Sequence, residues 1–311
     1  MAEAKVCIAG LGAIGGFVGA AIARKGPVYF YARGKKMEHI AKHGVSVISP
    51  MTGDFVAYPT AISSDASALG VMDTIFLCVK GYALEALLPS IAPMVGKDTV
   101  IVTLMNGISN GDVVRGAFPQ NMVFDSAVYV VANYENGLVV RHNGKDCTVV
   151  IGTKENDERH ENAMLEVQKL LTDAGVNCQI AEDIDIAIWK KYILNCAFNV
   201  STVYYDGSVG TFRDDPVKAE AYFGLLEEAF AIAEAHGVNL EDDLLEQYRA
   251  RLKNYTDDST SSMHHDAQEG RPMELEAFSG TLLRLAERYG LELPVTKMMY
   301  TEIKKRIDAQ A

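Results

Sequence analysis

The chain is poor in cysteine, in excess positive charge and in long apolar runs, and each shortage excludes something. Its five cysteines (Cys7, Cys78, Cys147, Cys178, Cys196) are odd in number, scattered, and free of any Cys-x-x-Cys pair. That pattern argues against a disulfide framework or a thiolate metal site, and the reducing cytoplasm is the expected setting. Lys and Arg number 29 against 41 Asp and Glu, for a net charge of −12. A field of that sign repels nucleic acid and anionic lipid, so neither is expected as a partner. No apolar stretch approaches the roughly 20 residues of a membrane span. No targeting segment is visible before the first apolar strand. Repeats, low-complexity segments and long linkers are also missing.

What is present is an ordinary globular mixture, 49% hydrophobic and 23% charged, in 311 residues, enough for two domains with separate cores. Residues 5–9 form a short apolar strand, followed by Gly10-Leu11-Gly12-Ala13-Ile14-Gly15 and a helical run over 16–25. This is Gly-x-Gly-x-x-Gly in the context of strand, turn and helix that a dinucleotide requires. The first glycine allows the tight turn and the second lets the backbone approach a pyrophosphate. The third permits close helix–strand packing, and the free N–H groups of the helix start face the phosphates. A strand over 28–32 follows, where an NAD enzyme commonly carries an acid for the adenosine ribose. Here the chain reads Tyr31-Ala32-Arg33-Gly34-Lys35-Lys36. Arg33 can hold a 2′-phosphate in bidentate fashion, so NADP(H) is the expected cofactor.

Strands over 74–79 and 99–104 precede Lys80-Gly81 and Asn106-Gly107, each followed by a helix. In a parallel sheet such strand ends open on the ligand crevice. Position alone leaves Lys80 either a cofactor contact or a surface lysine, and Asn106-Gly107 either a contact or a helix-entry turn. Alternation over 122–132, 137–141 and 148–152, with turn signals at Asn136-Gly137 and Asn143-Gly144, predicts antiparallel strands extending the sheet. A helix over 159–174 and a strand over 176–181 close this region. Beyond residue 183 helices alone are expected, over 184–205, 216–236, 241–254, 273–289 and 295–308. The fold class is therefore an α/β Rossmann-type N-terminal domain (1–182) plus an all-α C-terminal domain (183–311), with the active site expected in the cleft between them.

The one tryptophan, Trp189, lies within the first of these helices and opens the stretch Trp189-Lys190-Lys191-Tyr-Ile-Leu-Asn195-Cys-Ala-Phe-Asn199. Lys191, Asn195 and Asn199 recur every fourth residue and share one face, a polar stripe on an otherwise apolar helix. Such groups are costly to bury unless they find partners or line a cavity. Later comes an unusually polar stretch, Ser259-Thr-Ser261-Ser262-Met263-His264-His265-Asp266, running on through Gly270-Arg271 to Glu274-Leu275-Glu276. His264 and His265 are adjacent, so a helix aims them apart, and no Cys or suitably spaced His joins them; no metal is expected. Asp257 and Asp258 read as loop or cap residues rather than as an acid/base pair.

On four features the chain resembles the ketopantoate reductases, the NADPH-dependent enzymes of pantothenate synthesis, over essentially its whole length. These are the glycine motif, Asn106-Gly107 after a strand, the Trp189-x-Lys191-x-x-x-Asn195-x-x-x-Asn199 helix, and Ser261-Ser262-Met263-x-x-Asp266 followed by Glu274. The resemblance implies Lys191 as general acid, with Glu274 supporting it or the substrate hydroxyls. It further implies Asn195, Asn199 and Ser262 on the substrate, Asn106 near the nicotinamide and the catalytic lysine, and Arg33 and Lys80 on the adenosine phosphate. Of the adjacent lysines only Lys191 shares a face with Asn195. The chemistry fits these residue types. Hydride delivery to a 2-oxo acid builds negative charge on the carbonyl oxygen, which a lysine ammonium stabilises and protonates.

The chain departs from the family after Glu274. It has Glu276 and Ser279-Gly280 where an Asp and an Asn-Gly are usual, and Ser259 where Asn is usual. Those positions border the substrate region. The implied reaction is reduction of 2-dehydropantoate to D-pantoate. One alternative is a related D-2-hydroxyacid dehydrogenase acting on another branched or aromatic 2-oxo acid. Another is a non-catalytic NADP(H)-binding sensor, which has no need to keep Lys191, Asn195, Asn199, Ser262 and Glu274 together. The helical domain has enough apolar surface to form a homodimer.

Overall fold

The computed structural model describes residues 4–135, 139–144, 147–155 and 157–309. The turn signal at Asn136-Gly137 lies outside the described residues. Two compact units divide the chain, Met1–Ala187 and Ile188–Ala311.

The first unit is a doubly wound α/β domain. Its chain order is β1 (Val6–Ala9), α1 (Ala13–Ala23), β2 (Val28–Tyr31), α2 (Gly34–His43), β3 (Val45–Ile48), β4 (Phe55–Ala57), β5 (Ala61–Ser63) and α3 (Ala66–Leu69). There follow β6 (Met72–Leu77), α4 (Leu84–Ile91), β7 (Val95–Thr103), α5 (Asn110–Ala117), β8 (Val123–Tyr129), β9 (Ala132–Glu135), β10 (Val139–His142), β11 (Thr148–Gly152), α6 (Glu158–Asp173) and β12 (Asn177–Ile180). Eight strands form one sheet in the order β12-β11-β8-β7-β6-β1-β2-β5. Every pairing in it is parallel except β11 with β8. Side chains alternate across β1, so Val6 and Ile8 join one apolar layer while Cys7 and Ala9 join the layer on the other face. Strand order reverses beside β1, so the loop after it opens at the topological switch point where such sheets bind ligands.

One sequence expectation is corrected here. The alternating stretch after residue 122 does not all extend the main sheet. β8 does, and β11 pairs antiparallel with it, but β9 and β10 join a second, four-stranded sheet in the order β4-β3-β10-β9. The reason is a long-range pairing: β10 lies parallel to β3 and antiparallel to β9. This small sheet rests on α1. A Cβ at Gly16 would come within 2.7 Å of Tyr134 Oη and 2.9 Å of Val140, and the His142 ring stacks on Phe17 at 4.6 Å. Glycine at 16 is thus a packing requirement, separate from the glycines of the loop.

The second unit is helical. α7 (Ile184–Tyr204) begins in the first unit and runs into the second; α8 (Pro216–Ala235), α9 (Leu244–Asn254), α10 (Ser262–Gln268), α11 (Thr281–Tyr289) and α12 (Pro294–Asp308) follow. Asp215 caps α8 by accepting from the N–H groups of Val217 and Lys218, with Pro216 at the first helical position. Gly290 ends α11 in the left-handed conformation. The core includes Trp189, Tyr192, Tyr222, Leu225, Phe278 and Met299. Among the described residues no helix is long and apolar enough to cross a membrane.

Candidate functional site

In the first unit the glycine loop has the geometry that its motif requires. Gly10 has φ +101°, and a Cβ there would meet Val79 and the Cys78 carbonyl; only glycine fits. At Gly15 a Cβ would overlap the Gly10 carbonyl oxygen and come within 2.7 Å of Cys78 Cβ, so this residue lets α1 start against β1 and the end of β6. Gly12 is different. The nearest atom to its missing Cβ, the Cys78 carbonyl oxygen, is 3.7 Å away, which leaves room for a ligand to approach the backbone. No side chain caps the start of α1 at Gly12. Leu11 is buried, Ala13 and Ile14 are part-buried, and their N–H groups belong to the first turn and loop that an anion would meet.

Arg33 stands just beyond β2 and is exposed. Its guanidinium donates to Tyr31 Oη at 2.9 Å and to Ser90 Oγ at 2.7 Å, both neutral hydroxyls, so no carboxylate cancels its charge through these bonds. Sequence reasoning passed over Lys36. Its Nζ donates to the Leu11 carbonyl inside the glycine loop at 3.2 Å and lies 3.7 Å over the Tyr134 ring. The only signal for it was the basic cluster after β2. Lys80 sits part-buried three residues past the end of β6 and opens a short 3-10 turn. Asn106, also part-buried, follows β7; its carbonyl accepts from Asn110 Nδ2 at 2.9 Å, and Gly107 beside it has φ +112°. Beneath this loop Asp125, 6% exposed, pairs with Arg115 at 2.9 Å; burial raises its carboxyl above the usual range while Arg115 opposes the rise.

In the second unit the adjacent lysines of α7 part company. Lys190 pairs with Glu241. Lys191 is part-buried and interacts electrostatically with Glu274, which is 4% exposed. Burial pulls the Lys191 ammonium down from 10.5 to about 8, and the Glu274 charge works against that fall. The result is a lysine still protonated at neutral pH yet able to release its proton, the property required of a general acid. Asp266 fixes the segment that delivers Glu274: its carboxylate accepts from Arg271 Nε at 2.8 Å and its carbonyl from the Arg271 N–H at 2.8 Å.

The asparagine stripe divides in the same way. Asn195, part-buried, is one turn from Lys191. Asn199 is 4% exposed, and both its amide nitrogen and its amide oxygen bond within the protein. Its Nδ2 donates to the Asn195 carbonyl at 3.0 Å, and its Oδ1 accepts from the Met263 N–H at 3.2 Å and more weakly from Ser262 Oγ at 3.4 Å. The start of α10 is held a second time by Ser261, which caps it through the His264 N–H and bonds Thr202 Oγ1 at 2.7 Å. Ser262 itself is exposed on the first turn. Lys191, Asn195, Asn199, Ser262 and Glu274 are thus grouped in one unit, while the glycine loop, Arg33, Lys80 and Asn106 belong to the other.

The unusual positions after Glu274 separate as well. Glu276 accepts from Tyr300 Oη at 2.6 Å and pairs with Lys304 and Arg284. Ser279 is 1% exposed. Asp257 pairs with Arg213, and Asp258 accepts from Thr256. His264 bonds Thr260 and Asp206, and no group of three or more metal-ligating side chains occurs among the described residues.

Set beside known proteins, a switch-point glycine loop followed by an all-helical unit places the chain in a class, the oxidoreductases. Residues 6–156 match the family described as ketopantoate reductase PanE/ApbA, and residues 183–307 match the family's C-terminal domain. The chain therefore belongs to the ketopantoate reductase family. It is 25% identical over 98% of its length to a 2-dehydropantoate 2-reductase from Nostoc sp., covering 95% of that protein. The crystal structure of 2-dehydropantoate 2-reductase from Geobacter metallireducens is 27% identical, with TM-score 0.87, 97% of this chain and 99% of that one covered. The ternary structure of D-mandelate dehydrogenase with NADH and anilino(oxo)acetate shares the fold at 20% identity and TM-score 0.88, covering 98% and 99% of the two chains.

Proposed function

We propose that this protein reduces 2-dehydropantoate to D-pantoate with NADPH, in the cytoplasm, as a step of pantothenate synthesis. The observation that carries this reading is the pairing of Lys191 with buried Glu274, which leaves the ammonium titrating at about 8. The glycine loop fits a dinucleotide: Gly12 leaves room for a pyrophosphate, and the uncapped start of α1 offers it N–H groups. NADPH supplies the hydride. Asn106 would sit beside the nicotinamide, and Arg33 and Lys80 would hold the 2′-phosphate. Asn195 and Ser262 bind the carboxylate and hydroxyls of the 2-oxo acid without adding charge. Lys191 donates a hydrogen bond to the carbonyl oxygen, stabilises the charge that grows on it, and delivers its proton. Glu274 keeps the ammonium charged and aimed. Asn199 binds the 2-oxo acid beside them and also holds the first turn of α10, and with it Ser262, through its Oδ1.

A second reading, a D-2-hydroxyacid dehydrogenase for another branched or aromatic 2-oxo acid, draws on Ser279. Its hydroxyl is buried and has no hydrogen-bond partner among the described residues, where family members usually carry the larger, amide-bearing Asn. Following NADPH oxidation with ketopantoate, 2-oxoisovalerate and phenylglyoxylate decides between them. The highest kcat/KM is expected with ketopantoate; a preference for either other acid moves the assignment to the second reading. A chain that turns over none of them while binding NADPH would be a sensor.

Arg33 carries the cofactor preference. Arg33→Ala is expected to raise the Kd for NADPH by about 10- to 100-fold, the loss of a charge-assisted contact, and the Kd for NADH far less. Equal losses for the two cofactors, measured by fluorescence titration, would remove Arg33 from the phosphate.

A further inference from the structure

Two residues past Glu274 the chain makes a π turn, Glu276–Gly280, before continuing as α11. A turn of this width breaks the regular ladder of helix hydrogen bonds and leaves carbonyls in need of other donors, and such turns recur at functional sites. Here the donor comes from α7. Tyr192, the neighbour of Lys191, is 2% exposed, and its Oη lies 2.8 Å from both the Ala277 and the Phe278 carbonyl oxygens. The Phe278 N–H in turn donates to the Glu274 carbonyl at 3.2 Å. The two rings pack with centroids 6.1 Å apart, and Trp189 closes the other side of Tyr192 edge-on at 5.5 Å. A continuous set of contacts therefore runs from α7 through one phenol and one peptide to the residue whose carboxylate acts on Lys191.

We infer that Tyr192 is a positioning residue for the reaction: by bracing the π turn from α7, its hydroxyl fixes how Glu274 approaches Lys191. The kinetic side of this inference rests on the reading of Lys191 as proton donor; the geometric side does not. Burial holds the phenol well above its ordinary value, so it remains a donor across the working pH range. Removing the hydroxyl leaves the π-turn carbonyls short of a donor and lets the Glu274 segment relax away from the lysine. The sign follows from the charges. Glu274 raises the Lys191 value against burial, so a looser Glu274 lets it fall.

The direct test is an NMR titration of the full-length protein carrying 13Cε-labelled lysine. The Lys191 midpoint is expected near 8 in the unsubstituted protein. In Tyr192→Phe it should be lower by about half to one pH unit. In a Glu274→Gln background the same substitution should cause no further fall, because the tyrosine acts through that carboxylate. An unmoved midpoint in Tyr192→Phe, or an equal fall with and without Glu274, overturns the proposal. Should Tyr192→Phe not fold, 3-fluorotyrosine at position 192 keeps the shape and strengthens the donor; its midpoint should match or exceed the unsubstituted one, and a fall overturns the proposal. With the 2-oxo acid, kcat of Tyr192→Phe should drop by roughly 10-fold at nearly constant KM, the mark of an interaction made in the transition state. If the unsubstituted protein reduces no 2-oxo acid, the proposed function fails, and the lysine titration still decides the role of Tyr192.

Discussion

Lys191→Ala is expected to lower kcat for 2-oxo acid reduction by about 10²- to 10⁴-fold, the range that a positioned general acid supplies. NADPH binding should survive, because the glycine loop and Arg33 belong to the first unit and Lys191 to the second. Turnover within a few-fold of the unsubstituted protein would remove Lys191 from its role. The proposed role of this residue also carries an expected pH profile. Its ammonium titrates at about 8, so kcat for reduction should hold below that value and decline as pH rises through it. Stability runs the other way. The folded protein binds this proton less tightly than the unfolded chain, so the penalty for burying the charge is fully present below pH 8 and is relieved as pH rises from about 8 towards 10.5. Lys191→Met, which keeps the aliphatic stem and discards the charge, should therefore show a Tm at pH 7 no lower than the parent while being as inactive as Lys191→Ala. A markedly lower Tm would mean that the ammonium stabilises the fold on balance.

Gly15→Ala should damage both the fold and the cofactor site. The added carbon would overlap the Gly10 carbonyl oxygen and stand 2.7 Å from Cys78 Cβ and 3.2 Å from Ile8. Two of those three neighbours are backbone or the stiff base of a side chain, so the start of α1 has to move. Loss of about 2–3 kcal/mol of stability is expected, as for overpacked cores. The displaced helix start would also raise the Kd for NADPH by about 100-fold, through N–H groups that no longer converge on the phosphates. Gly12→Ala, with 3.7 Å to its nearest neighbour, should leave stability nearly untouched and weaken only the cofactor. If both variants unfolded alike in urea, the distinction between a packing glycine and a ligand-facing one would fall.

The parts of this fold that could be read in advance are those where local chemistry and global packing agree. The strand, Gly10-x-Gly12-x-x-Gly15 and α1 form one contiguous unit, and the apolar runs mark β2, β6 and the second half of β7, which begins earlier, at Val95, through the polar Lys97 and Asp98. The short strands β3, β4 and β5 escaped because runs of three or four residues carry too little pattern, and β10 finds its partner β3 only after the chain has gone out and returned. In the second unit, residues 273–289 scan as one continuous helix; the π turn within them is set by a phenol from α7, which no local pattern encodes. Helix α10 hides in a polar stretch because its stability comes from Ser261, Thr202 and Asn199 rather than from an apolar face. Asn199 shows the limit most clearly. Its spacing placed it on the stripe with Lys191, but spacing cannot say whether an amide is already occupied by a backbone N–H.

The pairing of β3 with β10 also sets an order of events during synthesis. Ser49 Oγ and His142 Nδ1 are 3.0 Å apart and buried, at a sequence separation of 93, and His142 stacks on Phe17 of the glycine helix. The ribosome needs roughly 5 to 20 s to add that much chain at its usual pace. Throughout that interval the first βα unit is already made, but the small sheet that packs against its helix is half missing. The nascent protein thus exposes Gly16, Phe17 and the unpaired edge of β3 for longer than any local contact demands. Completion of the cofactor-binding region is timed by the arrival of a histidine from the far end of the domain.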